Sequence, residues 1–210
     1  MKLPTHSNLP IHLLQDCLKH TTSSYKYFWL YSLTNLVEQD FIKIQKKDLF
    51  AEMISSAWGL SDLNLSYGKY DLMEDIIQKI KQSFSLHMES TKKEVFLTIS
   101  TSFSPKIEDT IWILDRYVPY LFLSPWFPRL FEESDKEKEI RTKMLSQQFF
   151  NQSLYALYDE YIEINPEWSV YIKTHASIIR RFCMYHFSTF LLKKNPMKII
   201  SLSQLESGMI

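Results

Sequence analysis

Residues 112–131, WILDRYVPYLFLSPWFPRLF, place three prolines among closely spaced aromatic side chains and carry only Asp115, Arg116 and Arg129 as charged residues. We call this stretch the central segment. A proline-rich surface loop is normally polar, because its backbone needs hydrogen-bond partners. The rings instead predict a helix that ends at 115–117, followed by an extended chain that its prolines hold between other helices. The alternative is a binding cleft lined by exposed rings.

The rings of the central segment need a partner surface elsewhere in the chain. Residues 25–31, YKYFWLY, are apolar nearly all round, which favours a helix at the centre of the fold. Burial of each ring would contribute about 2–3 kcal/mol. We therefore expect four rings of the central segment to be buried against three rings of the first half, namely Trp112, Tyr120, Trp126 and Phe127 against Phe28, Trp29 and Phe50.

Composition indicates a globular chain in one compact unit. The 210 residues are 45% hydrophobic and 15% aromatic, with only three glycines. Basic and acidic residues balance at 24 each, so net charge favours neither nucleic acid nor a membrane surface. Two cysteines, Cys17 and Cys183, are too few for a disulfide framework. The absence of a signal-peptide pattern and of a long apolar run predicts a cytoplasmic protein with no membrane partner.

Helical periodicity and capping residues predict helices through the first half. Asn8, and then Ser23 or Ser24, are candidate caps of the first two helices, and Gly59 is a candidate end of the third. Residues 92–103, KKEVFLTISTSF, have enough β-branched residues for a strand, but they lack its alternation, so a helix is favoured. Ser104 before Pro105 predicts the start of the helix that leads into the central segment.

The second half adds charge and a short β pattern. Residues 132–143 predict a solvated loop and helix face, with a possible lobe boundary near 131–141. Residues 155–166, YALYDEYIEINP, predict a small hairpin or a single strand. An apolar stripe over 166–194 predicts one or two closing helices, and the last dozen residues are expected to fray. The fold prediction is mainly α: a single compact helical domain over 1–210, with room for one small β-hairpin.

Motifs for catalysis and cofactor binding are missing from the sequence. The three glycines form neither a dinucleotide-binding nor a P-loop pattern, so no nucleotide cofactor is expected. No Asp or Glu stands two residues before a lysine, which argues against a common restriction-nuclease site. His186 and Cys183 lie one helical turn apart, but a metal there would need ligands from elsewhere. We predict no catalytic residue, no metal site and no cofactor.

Basic side chains in the closing helix form the candidate binding surface. They are interleaved with aromatic rings, a combination suited to contact with a phosphate backbone. The alternative is that they only solvate or cap the helix, because adjacent arginines point about 100° apart. The candidate DNA-binding residues are Lys173, Arg180, Arg181, Lys193 and Lys194.

Six stretches occur in a characteristic order along residues 3–196. They are SYKYFW (24–29), LFAEMISSAW (49–58), LSYGKYD (65–71), VPYLFLSPWF (118–127), YALYDEYIEINPEW (155–168) and RRFCMYHFSTFLLKKNP (180–196). In this order they resemble the amino-terminal region of a group of bacterial HNH endonuclease domain proteins. The resemblance implies a mostly helical domain placed ahead of a nuclease. The metal-binding HNH unit of that group lies beyond the matched region, so no catalytic residue carries over.

Two functions stay open at this point. The resemblance favours a non-catalytic recognition or assembly domain that contacts DNA. The neutral net charge favours a protein–protein interaction module, or a homodimer, with no nucleic-acid role. The expected partner is therefore DNA, a second copy of the chain or another protein.

Overall fold

The computed structural model describes residues 1–87, 89–102 and 105–209. The protein is 62% helical and has a small antiparallel sheet, which confirms the mainly α prediction. In chain order the helices and strands are α1 Ile11–Asp16, α2 Tyr25–Glu38, β1 Lys43–Gln45, α3 Lys46–Trp58, α4 Met73–Phe84, α5 Lys92–Thr101, α6 Pro105–Phe122, α7 Asp135–Ser146, β2 Tyr155–Leu157, β3 Tyr161–Ile164, α8 Pro166–Lys194 and α9 Leu202–Met209. Short 3-10 turns lie at Ser61–Leu63 and Phe150–Gln152.

Helix α2 lies at the centre, packed against α3 on one side and α8 on the other. Phe28, Trp29 and Leu33 are fully buried, as expected for a helix that is apolar nearly all round. The start of α2 is fixed from elsewhere in the chain. Ser24 is its N-cap, as predicted, but the side chain makes no capping bond, and the Ser24 N–H donates to Asp71 Oδ2 at 2.5 Å.

The first helix does not begin as the sequence predicts. Helix α1 starts at Ile11 with Pro10 as its N-cap, and no side chain caps it. The predicted cap Asn8 lies two residues before Pro10 and therefore does not cap the helix. Its N–H donates to Nδ1 of His6 at 3.3 Å instead. The predicted cap Ser104 of α6 lies outside the described residues.

The mixed segment before α6 is a helix, as favoured from the sequence. Helix α5 begins with a complete capping box, in which Thr91 Oγ1 accepts from the Glu94 N–H at 3.3 Å and Glu94 Oε2 accepts from the Thr91 N–H at 2.8 Å. This reciprocal pair satisfies backbone donors that would otherwise be free. Val95 and Ile99 form its buried face.

The predicted hairpin is present and gains a third strand. Strands β2 and β3 pair antiparallel, and β1 joins the other edge of β3, in the order β1-β3-β2. Ile162 lies opposite Ile44 on one side and Leu157 on the other. All three side chains are buried, so the small sheet covers one part of the helical core.

The central segment is more helical than the sequence predicts. Helix α6 passes through Pro119 and ends at Phe122, so the expected end at 115–117 and the extended chain beyond it are wrong. A proline inside a helix removes one backbone hydrogen bond. Here the Tyr155 hydroxyl donates to the Pro119 carbonyl oxygen at 2.5 Å. Turns then continue through Trp126 and Phe127, whose N–H groups donate to the Leu123 carbonyl oxygen.

Burial of the rings in the central segment is confirmed for three of the four predicted residues. Tyr120, Trp126 and Phe127 are at most 3% exposed. Trp112 is 49% exposed, so its predicted burial is wrong, because it lies beside the buried face of α6 and not on it. The ring of Trp126 packs edge-on against Trp168, with 5.9 Å between ring centroids.

The last residues dock on the core, which corrects the prediction that they fray. Leu205 and Met209 of α9 are fully buried. The backbone approaches closely here, since a Cβ atom at Gly59 would lie 2.5 Å from the Gly208 carbonyl oxygen. Gly59 also follows the last residue of α3, as predicted. Glycine is therefore required at residue 59 by the contact with α9.

One hydrophobic cluster runs from Leu3 to Met209 through the described residues. A lobe boundary near 131–141 stays a prediction. Helix α7 starts there with a capping box between Ser134 and Glu137. Among the described helices, none combines the length and apolar character needed to cross a membrane.

Candidate functional site

A groove between α2, α5 and α8 collects basic and polar side chains around a cavity of about 440 Å³. We call it the α8 groove. Helix α2 contributes residues at i, i+4 and i+7, and α8 contributes residues at i, i+3 and i+4, so each set lies on one helical face. The lining residues are Tyr31, Asn35, Glu38, Lys92, Ser177, Arg180 and Arg181.

Arg180 is held in place on the wall of the α8 groove. Its Nη1 donates to Glu38 Oε2 at 2.5 Å and to Asn35 Oδ1 at 3.4 Å, and its Nη2 donates to Glu38 Oε1 at 3.3 Å. Both side chains are partly exposed, so this ion pair adds little to folding stability. This bidentate contact instead fixes the orientation of the guanidinium group.

Lys92 supplies a second cation from α5. Its Nζ lies 3.0 Å from Glu52 Oε1, donates to the Met209 carbonyl oxygen at 2.9 Å and sits 5.5 Å from the centre of the Tyr31 ring. Asn35 Nδ2 donates to the same Glu52 oxygen at 2.9 Å. Asn35 therefore joins the two ion pairs into one network along the groove.

Arg181 is the groove cation without a counterion. It is exposed and makes no ion pair or hydrogen bond within the ranges that the structure describes. Adjacent residues on a helix point about 100° apart, so Arg181 faces solvent while Arg180 turns towards α2. A negatively charged ligand could approach Arg181 without first displacing a carboxylate.

The five predicted DNA-binding residues do not share one environment. Arg180 and Arg181 line the α8 groove, whereas Lys173 pairs with Asp40 at 2.5 Å, outside its lining. Lys193 and Lys194 belong to the last turn of α8, and Lys194 Nζ lies 5.6 Å from the centre of the Phe190 ring. Twelve helical residues separate Arg181 from Lys193, a rise of about 18 Å.

Lys92 was not identified as a candidate from the sequence, although it lines the same groove as both arginines. Its only local signal is its place directly after the Thr91 cap of α5, which predicts a helix start and no site. The contact between Lys92 and Glu52 depends on how α5 packs against α3, and no spacing within either helix indicates it.

A second and larger cleft lies at the start of the central segment. It encloses about 510 Å³ between α3, α6 and the β2–β3 turn. Trp112 is half exposed there with the Arg116 guanidinium 5.7 Å from its ring centre, and Lys46 Nζ contacts Asp115 Oδ1 at 2.9 Å. Carboxylates outnumber cations in its lining, which disfavours a phosphate ligand; the acidic residues are Glu108, Asp109, Asp115, Asp159 and Glu160.

The two buried thiols lack the surroundings of reactive groups. Cys17 Sγ donates to the Phe122 carbonyl oxygen at 3.2 Å, and Cys183 Sγ donates to the Tyr27 carbonyl oxygen at 3.1 Å. Burial raises the pKa of both thiols well above their ordinary value, so neither is a ready thiolate nucleophile. Burial lowers the pKa of His186. In the described ranges, no three His, Cys, Asp or Glu residues form a group that could hold a metal.

No protein-family model, curated protein or solved structure matches the chain. The likeness to HNH endonuclease domain proteins stays a prediction from the six sequence stretches. We therefore infer the function from the geometry of the grooves and from the charges that line them.

Proposed function

We propose that the chain is a non-catalytic recognition domain that binds the phosphate backbone of DNA through the α8 groove. The observation that carries this proposal is the convergence of Lys92, Arg180 and Arg181, from two helices, on one groove. A placement ahead of a nuclease, as in the HNH endonuclease-like proteins that the sequence resembles, would suit such a domain. Phosphate contacts of this kind position a protein on DNA without reading its sequence.

The charges of the groove set the expected strength of binding. Glu38 and Glu52 neutralise part of the positive charge, while Arg181 is free of a carboxylate partner among the described residues. Three phosphate contacts at about 0.9 each imply a slope near −2.7 in a plot of log affinity against log salt. A strip of all five predicted residues would give a slope of about −4 to −5.

The same proposal places the domain in a bacterial cytoplasm. Both cysteines are free and buried, which suits a reducing compartment. Measurement of DNA binding should therefore be made with reductant present.

Titration of labelled duplex DNA at two salt concentrations tests the proposal. We expect affinity to fall about 40-fold between 50 and 200 mM salt for the unmodified protein. Replacement of Arg181 by alanine removes the free contact, so the fall should shrink to about 12-fold and the loss should be equal for unrelated sequences. Lys193→Ala is the matched control, because Lys193 is exposed on the same helix but lies outside the groove lining.

The control variant also separates two arrangements of the cations. Unchanged binding by Lys193→Ala together with weaker binding by Arg181→Ala supports the α8 groove. Equal losses in both variants would indicate the longer strip instead. Flat titration curves for the unmodified protein at both salt concentrations would end the nucleic-acid proposal.

A second candidate function is self-association through the outer face of α7. Phe131 is 92% exposed just before this helix, and Ile140 and Met144, one turn apart, are 50% and 62% exposed. Large exposed apolar side chains in one region are typical of interaction surfaces. Under this alternative, sedimentation velocity should show a mass that rises with concentration, and Met144→Lys should abolish the rise. A monomer at all concentrations would exclude it.

A further inference from the structure

A small pocket lies between the loop that precedes α2, the first turn of α2 and α6. It encloses about 180 Å³. Tyr117, Val118 and Leu121 of α6 contribute the apolar part of the lining, and the other lining residues are His20, Thr21, Thr22, Ser23, Tyr25 and Lys26. The pocket is separate from the α8 groove and shares no lining residue with it.

Lys26 is the one lysine or arginine in the lining of this pocket, and it has no counterion among the described residues. It is half-buried and makes no ion pair or hydrogen bond with any residue that the structure describes. Burial lowers its pKa, as expected for an ammonium group that has lost water without gaining a carboxylate. An uncompensated, partly buried charge is unfavourable, and a bound anion would relieve that cost.

A second buried ammonium group strengthens the positive character of this region. Lys138 is 5% exposed, and its Nζ donates to Ser124 Oγ at 2.9 Å without an ion pair to any described carboxylate. Burial lowers the pKa of Lys138, the nearby charges of Arg129 and Lys26 lower it further, and the Glu133 carboxylate opposes this shift. Lys138 does not line the pocket, so it adds only a longer-range positive charge to that of Lys26.

The hydroxyl groups around the pocket differ in whether they already have a hydrogen-bond partner. The Thr21 and Tyr27 hydroxyls are 2.5 Å apart, and the Tyr25 hydroxyl accepts from the Leu72 N–H at 2.7 Å. Thr22 and Ser23 make no side-chain hydrogen bond among the described residues, so either could add a donor beside Lys26. One cation and few donors suit one carboxylate better than a phosphate, which needs several donors.

The size and walls of the pocket restrict the rest of the ligand. An apolar cavity of about 150 Å³ accepts benzene, so this pocket can hold one small ring or a short alkyl chain. We propose that it binds a small carboxylate with a compact apolar body, of the size of benzoate, whose carboxylate contacts Lys26 Nζ while its apolar part packs against Val118 and Leu121.

Binding of benzoate, measured by calorimetry and by amide shifts in nuclear magnetic resonance spectra, tests the proposal. We expect saturable binding to the unmodified protein, with the largest shifts at residues 20–26 and 117–121. Benzamide has the same shape without the charge and should bind at least about tenfold more weakly, because its neutral amide cannot form an ion pair with Lys26. Inorganic phosphate, which lacks the apolar body, should also bind more weakly than benzoate.

Two lysine variants localise the effect. Lys26→Met keeps the length of the side chain and removes the charge, so benzoate affinity should fall about tenfold or more. Lys19→Met is the matched control, because Lys19 lies on the loop that precedes α2, outside the pocket lining, is 60% exposed and pairs with Asp16. It should leave benzoate affinity unchanged. Lys26→Arg, which keeps a cation, should retain part of the binding.

Several results would overturn the proposal. Equal affinity for benzoate and benzamide would show that the pocket selects the apolar ring and not the carboxylate. Tighter binding of phosphate than of benzoate would show that the preferred ligand is a phosphate. Undiminished benzoate binding by a folded Lys26→Met variant would place the ligand elsewhere. If Lys26→Met does not fold, the comparison of the three ligands on the unmodified protein still decides. DNA binding through the α8 groove is independent of each of these outcomes.

Discussion

The two tryptophans of the central segment have opposite environments. Trp126 is 2% exposed, its indole N–H donates to the Gln152 carbonyl oxygen at 3.2 Å, and its ring packs against Trp168. Trp112 is 49% exposed, and its ring contact is with Arg116, one helical turn further along α6. The difference shows that aromatic content alone does not decide burial. The phase of the helix does, because Ile111, Leu114 and Val118 form the inward face beside Trp112.

The largest expected effect is the contrast between alanine substitutions at the two tryptophans. Trp126→Ala should lower the free energy of unfolding by about 3–5 kcal/mol, since it leaves a cavity beside Trp168. Trp112→Ala should change it by about 0.5 kcal/mol or less, because the side chain is half in solvent already. Urea unfolding of both variants measures the contrast, and equal losses would show that Trp112 is also a core residue.

A smaller effect is expected at the proline inside α6. Tyr155 is fully buried, and its hydroxyl donates to the Pro119 carbonyl oxygen at 2.5 Å. Tyr155→Phe leaves that buried carbonyl without this donor and should cost about 1–2 kcal/mol of unfolding free energy. Tyr185→Phe is the control, because Tyr185 is 46% exposed and should change stability little. Identical urea midpoints for the two variants would show that this bond does not stabilise the buried half of the segment.

The smallest effect concerns Glu133, two residues beyond the central segment, and depends on pH. Arg141 donates to both carboxylate oxygens of Glu133, at 2.6 and 2.9 Å, and this contact lowers the pKa of Glu133 from 4.5 to about 2. A carboxyl group whose pKa is lowered by folding stabilises the fold at pH values above its ordinary pKa. This contribution is lost as the pH falls from about 4.5 towards 2. Glu133→Gln should therefore be slightly less stable than the unmodified protein at pH 7.

Urea midpoints measured from pH 7 down to pH 2.5 test this expectation. The gap between the unmodified protein and Glu133→Gln should close as the solution becomes more acidic. Glu132→Gln, at an exposed neighbouring carboxylate, should show no such closure. A gap that is independent of pH would mean that the Glu133–Arg141 contact acts through its shape and not through its charge.

The candidate site was predictable only in part, for reasons that its residues make plain. Arg180 and Arg181 stood out in the sequence because they are adjacent and surrounded by rings. Their different roles depend on Glu38, which reaches Arg180 from another helix. Lys92 gave no signal, because a lysine becomes notable only when its partners, or the lack of them, are known.

The sequence by itself determined the mainly helical fold, the helical character of α5, the hairpin and the burial of Trp126. These features follow from residues close together in the chain, where periodicity and capping act directly. Only the tertiary structure decided that α6 passes through Pro119, that Trp112 stays exposed and that α9 docks through Gly208 on Gly59. Those outcomes depend on contacts between residues far apart in the chain, such as Tyr155 with Pro119, which no local pattern encodes.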